Sequence, residues 1–123
     1  MKFDDLSNTV IGCALNVHRE LGPGLLESTY EQCLCYELSK AGLQVERQKE
    51  LPVKYQNVKI DCGYRIDLLV EGKLIIELKS VEALQRIHEA QLLTYMKLSN
   101  VGIGLPINYN SVLLKDGIRR MVL

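Results

Sequence analysis

Between Ser7 and Leu21 the apolar residues Val10, Ala14, Val17 and Leu21 recur every three or four positions, the period of a helix with one buried face. Ser7 is placed to cap its start. Gly22-Pro23-Gly24 ends it, since proline cannot continue a helix and glycine accepts positive φ. A second helix is predicted from about Leu26 to Lys40, with Tyr30, Leu34 and Leu38 on one stripe and Ala41-Gly42 as its stop. From Leu43 to Val70 the pattern shortens to β-like segments carrying Val45, Val53, Tyr55, Val58, Ile60 and Ile66, with Asn57 as a turn residue. Glu71-Gly72 makes a tight connection into Leu74-Ile75-Ile76-Glu77-Leu78, which reads as a mostly buried strand. Val81 to Ser99 is the strongest helical pattern, and Gly102 to Ile107 is another buried strand. Val112 to Leu123, turning at Asp116-Gly117, has the form of a closing hairpin. This order predicts an α/β sandwich with a mixed sheet, because consecutive strands pair antiparallel while the late helix makes a crossover.

Composition narrows the picture. The 123 residues fit one domain spanning 1–123, and folding at this size buries roughly two-thirds of the unfolded chain's surface. Apolar residues at 47% and charged residues at 24% argue against disorder. Fifteen Lys and Arg balance fifteen Asp and Glu, which excludes a polybasic, histone-like protein but leaves room for a local patch. No run reaches the roughly 18 apolar residues a membrane helix needs. Met1-Lys2-Phe3-Asp4-Asp5 turns acidic where a signal peptide would turn apolar, so a soluble cytoplasmic protein is expected. Cys13, Cys33, Cys35 and Cys62 are expected as buried, reduced thiols. Cys33 and Cys35, two apart in a helical pattern, point to opposite sides and do not suit a metal cluster.

The buried strands carry charges that a pure core would not choose. Asp67 sits in Tyr64-Arg65-Ile66-Asp67-Leu68-Leu69-Val70, and Glu77 and Lys79 sit in Leu74-Ile75-Ile76-Glu77-Leu78-Lys79. With a period of two, Glu77 and Lys79 share a face, ~6.6 Å apart along the strand. Unpaired buried carboxylates cost roughly several kcal/mol each, so they should be paired or coordinate a metal. Hard oxygen ligands beside an ammonium suit Mg²⁺ with a phosphate. Register decides whether they meet. A two-residue loop at Glu71-Gly72 puts Asp67 opposite Ile76, whereas a loop of Glu71, Gly72 and Lys73 puts Asp67 opposite Glu77. The same residues also fit a plain arrangement, with Glu77 and Lys79 ending an exposed strand face and Asp67 paired to Arg65.

In the late helix, at about 100° per residue, Leu84, Ile87, Gln91, Tyr95 and Leu98 fall on one stripe. Gln91 is a polar amide in the middle of it, with Tyr95 one turn later; both can hydrogen-bond and would face the sheet that bears Glu77. Glu27 opens the second helix, where the helix dipole favours a carboxylate in any case.

Gly24-Leu25-Leu26-Glu27-Ser28-Thr29-Tyr30 resembles the signature of the GxxExxY family, which is placed in the PD-(D/E)xK nuclease superfamily. The likeness extends through Val17-His18-Arg19-Glu20-Leu21-Gly22, Asp61-Cys62-Gly63-Tyr64-Arg65-Ile66-Asp67, His88-Glu89-Ala90-Gln91-Leu92-Leu93-Thr94-Tyr95, Ile107-Asn108-Tyr109-Asn110 and Leu114-Lys115-Asp116-Gly117-Ile118-Arg119-Arg120. The resemblance implies a restriction-endonuclease-like α/β/α sandwich with a mixed central sheet and core order αβββαβ. It maps the superfamily motif onto Asp67 and Glu77-Leu78-Lys79, with Ile66 where the motif's proline would stand. Gln91 and Tyr95 are similar to the QxxxY motif of the RecB-like branch, and Glu27 to the acidic residue on the first core helix. The cysteine ladder that holds an iron–sulfur cluster in some RecB-like nucleases is absent, so no such cluster is expected.

What this implies is a metal-dependent hydrolase of DNA phosphodiester bonds. Asp67, Glu77 and Glu27, with the Leu78 carbonyl, would hold Mg²⁺ or Mn²⁺, and Asp67, Glu77 and Lys79 would be catalytic. Gln91, Tyr95, Arg65 and His18 would position substrate. Arg65 shares Asp67's face by strand alternation, and His18 lies near the end of the first helix, where the dipole also favours it. Small size and neutral charge favour single strands or ends over a gripped duplex, and a homodimer would extend the groove. Two other classes fit the same residues: a non-catalytic nucleic-acid-binding or protein-partner module on this fold, and a hydrolase of a small phosphorylated compound.

Overall fold

A computed structural model describes residues 3–123; Met1 and Lys2, on which the reading of the N-terminus partly rests, lie outside the described residues. Helix α1 (Asp5–Leu21) is capped by Asp4, whose carboxylate accepts from the Ser7 backbone N–H at 2.9 Å and the Ser7 hydroxyl at 2.6 Å. Ser7, expected as the cap, lies instead inside the first turn and is fully buried. A carboxylate suits that position better, because it also meets the positive end of the helix dipole and pairs with Arg120 at 2.7 Å. Val10, Ala14 and Val17 are buried as the period requires, while Leu21, the last of the predicted stripe, is 37% exposed. Helix α2 (Glu27–Lys40) buries Tyr30, Leu34 and Leu38, and also Glu31.

Strands β1 (Val45–Glu50), β4 (Arg65–Val70), β5 (Leu74–Lys79), β6 (Ile103–Asn108) and β7 (Met121–Val122) form one sheet in the order β1-β4-β5-β6-β7. Strands β2 (Val53–Tyr55) and β3 (Val58–Ile60) form a separate hairpin, turning at Gln56 and Asn57, both with positive φ as such a turn demands. Helix α3 (Arg86–Ser99) is the crossover that makes β5 and β6 parallel; the other neighbouring strands in the sheet are antiparallel. Helices α1 and α2 cover one face over Leu68, Val70, Leu74, Ile76 and Leu78, while α3 covers the other over Ile66, Leu69 and Ile75. The expected core order appears as α2-β1-β4-β5-α3-β6, with the β2–β3 hairpin inserted, and the architecture is the restriction-endonuclease-like α/β/α sandwich. Among the described residues, no helix is long and apolar enough to cross a membrane.

Further expectations are corrected. Helix α3 starts at Arg86, not Val81: Val81 lies in a bend where the buried Asn108 amide takes both its N–H and its carbonyl, at 3.1 and 2.9 Å, and Gln85 with His88 caps the helix where it does begin. Its packed stripe is Leu92, Tyr95 and Met96, leaving Ile87 67% exposed and Gln91 on the flank. The helix crosses β6 so closely that a Cβ on Gly104 would lie 2.6 Å from the Met96 sulfur. The C-terminal segment is not a hairpin. A 3₁₀ turn (Leu114–Gly117) buries Leu114 against α1's layer, after which β7 pairs with the start of β6. All four cysteines are free, but only Cys13 is buried; Cys62 is exposed.

Candidate active site

Val70 pairs with Leu74, so the β4–β5 connection is Glu71, Gly72 and Lys73, with Glu71 and Gly72 at positive φ. That is the three-residue form, and its register carries Asp67 opposite Glu77. Backbone pairing runs from Val70↔Leu74 to Leu68↔Ile76 and then opens. The Asp67 N–H donates to Glu77 Oε1 at 3.3 Å, and the Leu78 N–H donates to Asp67 Oδ2 at 2.8 Å. Each carboxylate takes an N–H that a carbonyl would otherwise accept, so both sit in the same gap between the strands.

The gap arises from a change of direction in two strands at one level. Ile66 packs with α3's layer and Leu68 with α1 and α2, although residues two apart on a regular strand share a face. The β1 residue at this level, Gln48, has φ 51°. Regular pairing flanks it, Arg47 with Leu68 and Lys49 with Ile66. Strand alternation therefore fails at Asp67, and with it the expectation that Arg65 shares Asp67's face or pairs with it. Arg65 instead meets Glu50 at 3.4 Å and the Tyr64 carbonyl at 2.9 Å.

Burial sets the electrostatics. Glu77 is 7% exposed, and desolvation, followed by the charge of Asp67, pushes its carboxyl from 4.5 to about 8. Asp67 is also raised, chiefly by burial, against the pull of the Leu78 N–H; Glu31 raises it further and Lys79 lowers it. Lys79 is half-buried and has no ion-pair partner among the described residues. Tyr95 lies on Glu77's side of the sheet, its hydroxyl raised by burial and by Glu77's charge, and Gln91 donates to that hydroxyl at 3.1 Å.

Glu27 is presented by a loop that Tyr30 ties down. The Tyr30 hydroxyl donates to the Gly22 carbonyl at 2.6 Å and accepts from the Leu25 N–H at 3.1 Å, while Gly22 and Gly24 take the positive φ the turn needs. Glu27 Oε2 accepts from the Ser80 N–H at 2.8 Å, clamping α2 to the end of β5. Glu27 and Asp67 line one cavity of about 210 Å³, together with Glu31 and Gln48. His18 lies elsewhere: its Nε2 is 2.7 Å from the Ser111 carbonyl and its ring leans on Tyr109.

Glu31, Gln48 and Arg47 were not anticipated. Glu31 is 6% exposed, takes Arg47 at 3.0 Å on one oxygen, and takes the Gln48 amide on the other. The i, i+4 spacing of Glu27 and Glu31 places two acids on one helical face and was a readable signal. Nothing in the local sequence announces Gln48.

Asp67 and Glu77 fit a divalent cation on their chemistry. They are two oxygen donors, Glu77 buried and Asp67 half-buried, the charge of Asp67 opposing the ionisation of Glu77, and a cation of the Mg²⁺ kind binds through one or two carboxylates and keeps its waters. Glu27 does not complete a three-ligand seat with them: no group of three or more His, Cys, Asp or Glu among the described residues is arranged to hold a metal ion. In comparisons with known proteins, residues 4–121 match the family model described as the PD-(D/E)XK nuclease superfamily. No curated protein and no solved structure matches the chain.

Proposed function

Since the chain belongs to the PD-(D/E)XK nuclease superfamily, we propose that it is a metal-dependent nuclease that hydrolyses DNA phosphodiester bonds at single strands or ends. The observation that carries this reading is the opened ladder, which brings the buried Glu77 carboxyl and the half-buried Asp67 carboxyl together beside Lys79, which has no ion-pair partner among the described residues. Asp67 and Glu77 would hold Mg²⁺ or Mn²⁺, which when bound polarises a phosphoryl oxygen and lowers the pKa of its water. Lys79 supplies positive charge where the reacting phosphate gathers negative charge. Tyr95, steadied by Gln91, orients the substrate backbone from the α3 side. Glu27 holds the end of β5, and so Lys79, in place through Ser80.

A cleft of about 660 Å³ supports a strand rather than a duplex. It lies between β1 and the β2–β3 hairpin, is lined by Arg47, Lys49 and Lys59 against Glu50 and Asp61, and meets the carboxylate cavity at Gln48, which lines both. Lys54 stands directly across from Lys59, a like-charge pair that a phosphate chain would relieve. Arg65 and His18 have no part in this proposal, because neither lines the cleft or the carboxylate cavity.

The test is Mn²⁺- or Mg²⁺-dependent cleavage of single- and double-stranded DNA by the wild type and by Lys79→Ala. Loss of cleavage by about 10²-fold or more supports the assignment. Equal cleavage by the two proteins would attribute the activity to a contaminant. Calorimetry with Asp67→Asn checks the metal seat separately, and undiminished affinity there rejects it.

A further inference from the structure

Gln48 is the one residue of the site whose backbone is bent out of the usual strand region, with φ 51° in the middle of β1. The ladder does not need this. Pairing with β4 keeps one register on both sides, Arg47 with Leu68 and Lys49 with Ile66. What the left-handed φ changes is the direction of the side chain. On a regular strand consecutive side chains point to opposite faces, yet Arg47 and Gln48 both reach Glu31, at 3.0 and 2.5 Å. A non-glycine residue keeps such a conformation only where its surroundings impose it, and such residues gather at functional sites.

We propose that Gln48, anchored by Glu31, is a positioning residue that orients the Asp67 carboxylate for the cation. The inference rests on the metal-dependent nuclease reading. The Gln48 Nε2 carries two hydrogens and bonds to two carboxylates, Glu31 Oε1 at 2.5 Å and Asp67 Oδ1 at 3.4 Å. Asp67 Oδ2 already accepts from the Leu78 N–H at 2.8 Å, so the carboxyl group is steered at both oxygens. Glu31 is in turn fixed at both oxygens, by Gln48 and by Arg47, whose guanidinium balances its charge. Asp67 therefore meets a neutral amide dipole rather than a full positive charge, and keeps its own negative charge for a cation. A glutamate at position 48 would have no N–H to offer either acid. Groups that hold metal ligands in this way change metal affinity about 10–100-fold when removed.

The experiment measures Mn²⁺ affinity by calorimetry for the wild type, Gln48→Gly, Glu31→Gln and the double variant, with thermal midpoints recorded in EDTA. Glycine accepts the left-handed φ freely, so Gln48→Gly removes the amide and leaves the backbone unstrained. Each single variant is expected to weaken Mn²⁺ binding about tenfold, and the double variant to be no weaker than the worse single, because the two residues act as one unit. A structural role alone would lower the midpoint and leave affinity untouched. Should Gln48→Gly fail to fold, Gln48→Asn, which tolerates positive φ but is too short to span both acids, is expected to show the same loss. Affinity within twofold of wild type in these variants, or losses that simply add, overturns the inference while leaving the nuclease reading standing. A wild type that binds no Mn²⁺ overturns both.

Discussion

Strands β4 and β5 are two different structures along one pair of chains. Near their turn, Val70 faces Leu74 and Leu68 faces Ile76 in an ordinary antiparallel ladder, with all four side chains buried against α1 and α2. One residue further along, Asp67 and Glu77 stand opposite each other, and the neighbouring N–H groups bond to carboxylates. The closed half is held by apolar burial and tolerates no polarity. The open half keeps every buried side-chain polar atom satisfied, but with acids that resist being charged side by side. The apolar core and the acid pair are thus separated by a single step along the strands.

The largest expected effects test that separation directly. Ile76→Ala, in the closed half, should cost about 2–5 kcal/mol in denaturant unfolding and leave Mn²⁺ affinity per folded molecule unchanged. Asp67→Asn, in the open half, should remove about 10²-fold or more of metal-dependent cleavage. Its unfolding free energy at pH 8 should not fall, because it removes a charge that burial opposes. If Asp67→Asn instead lost stability as Ile76→Ala does, the two halves would be one cooperative core.

A smaller effect is linked to pH. Glu77 binds its proton more tightly folded than unfolded, so its contribution is full below its ordinary value of 4.5 and is lost as pH rises toward about 8. Metal-free protein should therefore lose roughly 1–3 kcal/mol of stability across that window, and Glu77→Gln or saturating Mn²⁺ should flatten the slope. Urea titrations at pH 5 and pH 8 decide it. Asp4 provides the opposite case at the smallest scale. It too accepts a backbone N–H, but it is solvent-facing, and Ser7 and Arg120 hold its carboxyl well below the usual range. Its contribution is present above its ordinary 3.8 and lost as pH falls below it. Asp4→Ala should cost about 1 kcal/mol at pH 7 and progressively less as pH falls below 3.8.

Much of the fold was legible because its signals are local. Val10, Ala14 and Val17 mark α1 by period, Gly22-Pro23-Gly24 ends it, and the run from Leu74 to Leu78 reads as a buried strand without reference to anything distant. The pairing of Asp67 with Glu77 was one of two registers the sequence left open, and the three-residue turn of the folded chain selects it, because register follows from loop length. The start of α3 was not legible, since Asn108, 27 residues along the chain, is what ties down Val81 in the bend before it. Arg65 was misplaced for a related reason: strand alternation presumes a regular strand, and β4 turns over at Asp67.

Local patterns in the chain marked most of the elements and two acids able to meet, because periodicity and turn length act over a few residues, while the core order came with the family resemblance. Tertiary structure decided what those acids became. Only packing brings Glu31 from α2, Gln48 from a bent β1 and the Leu78 N–H around one carboxylate. Burial then raises its pKa and that of Glu77, because desolvation depends on every neighbour at once and on no residue's place in the chain.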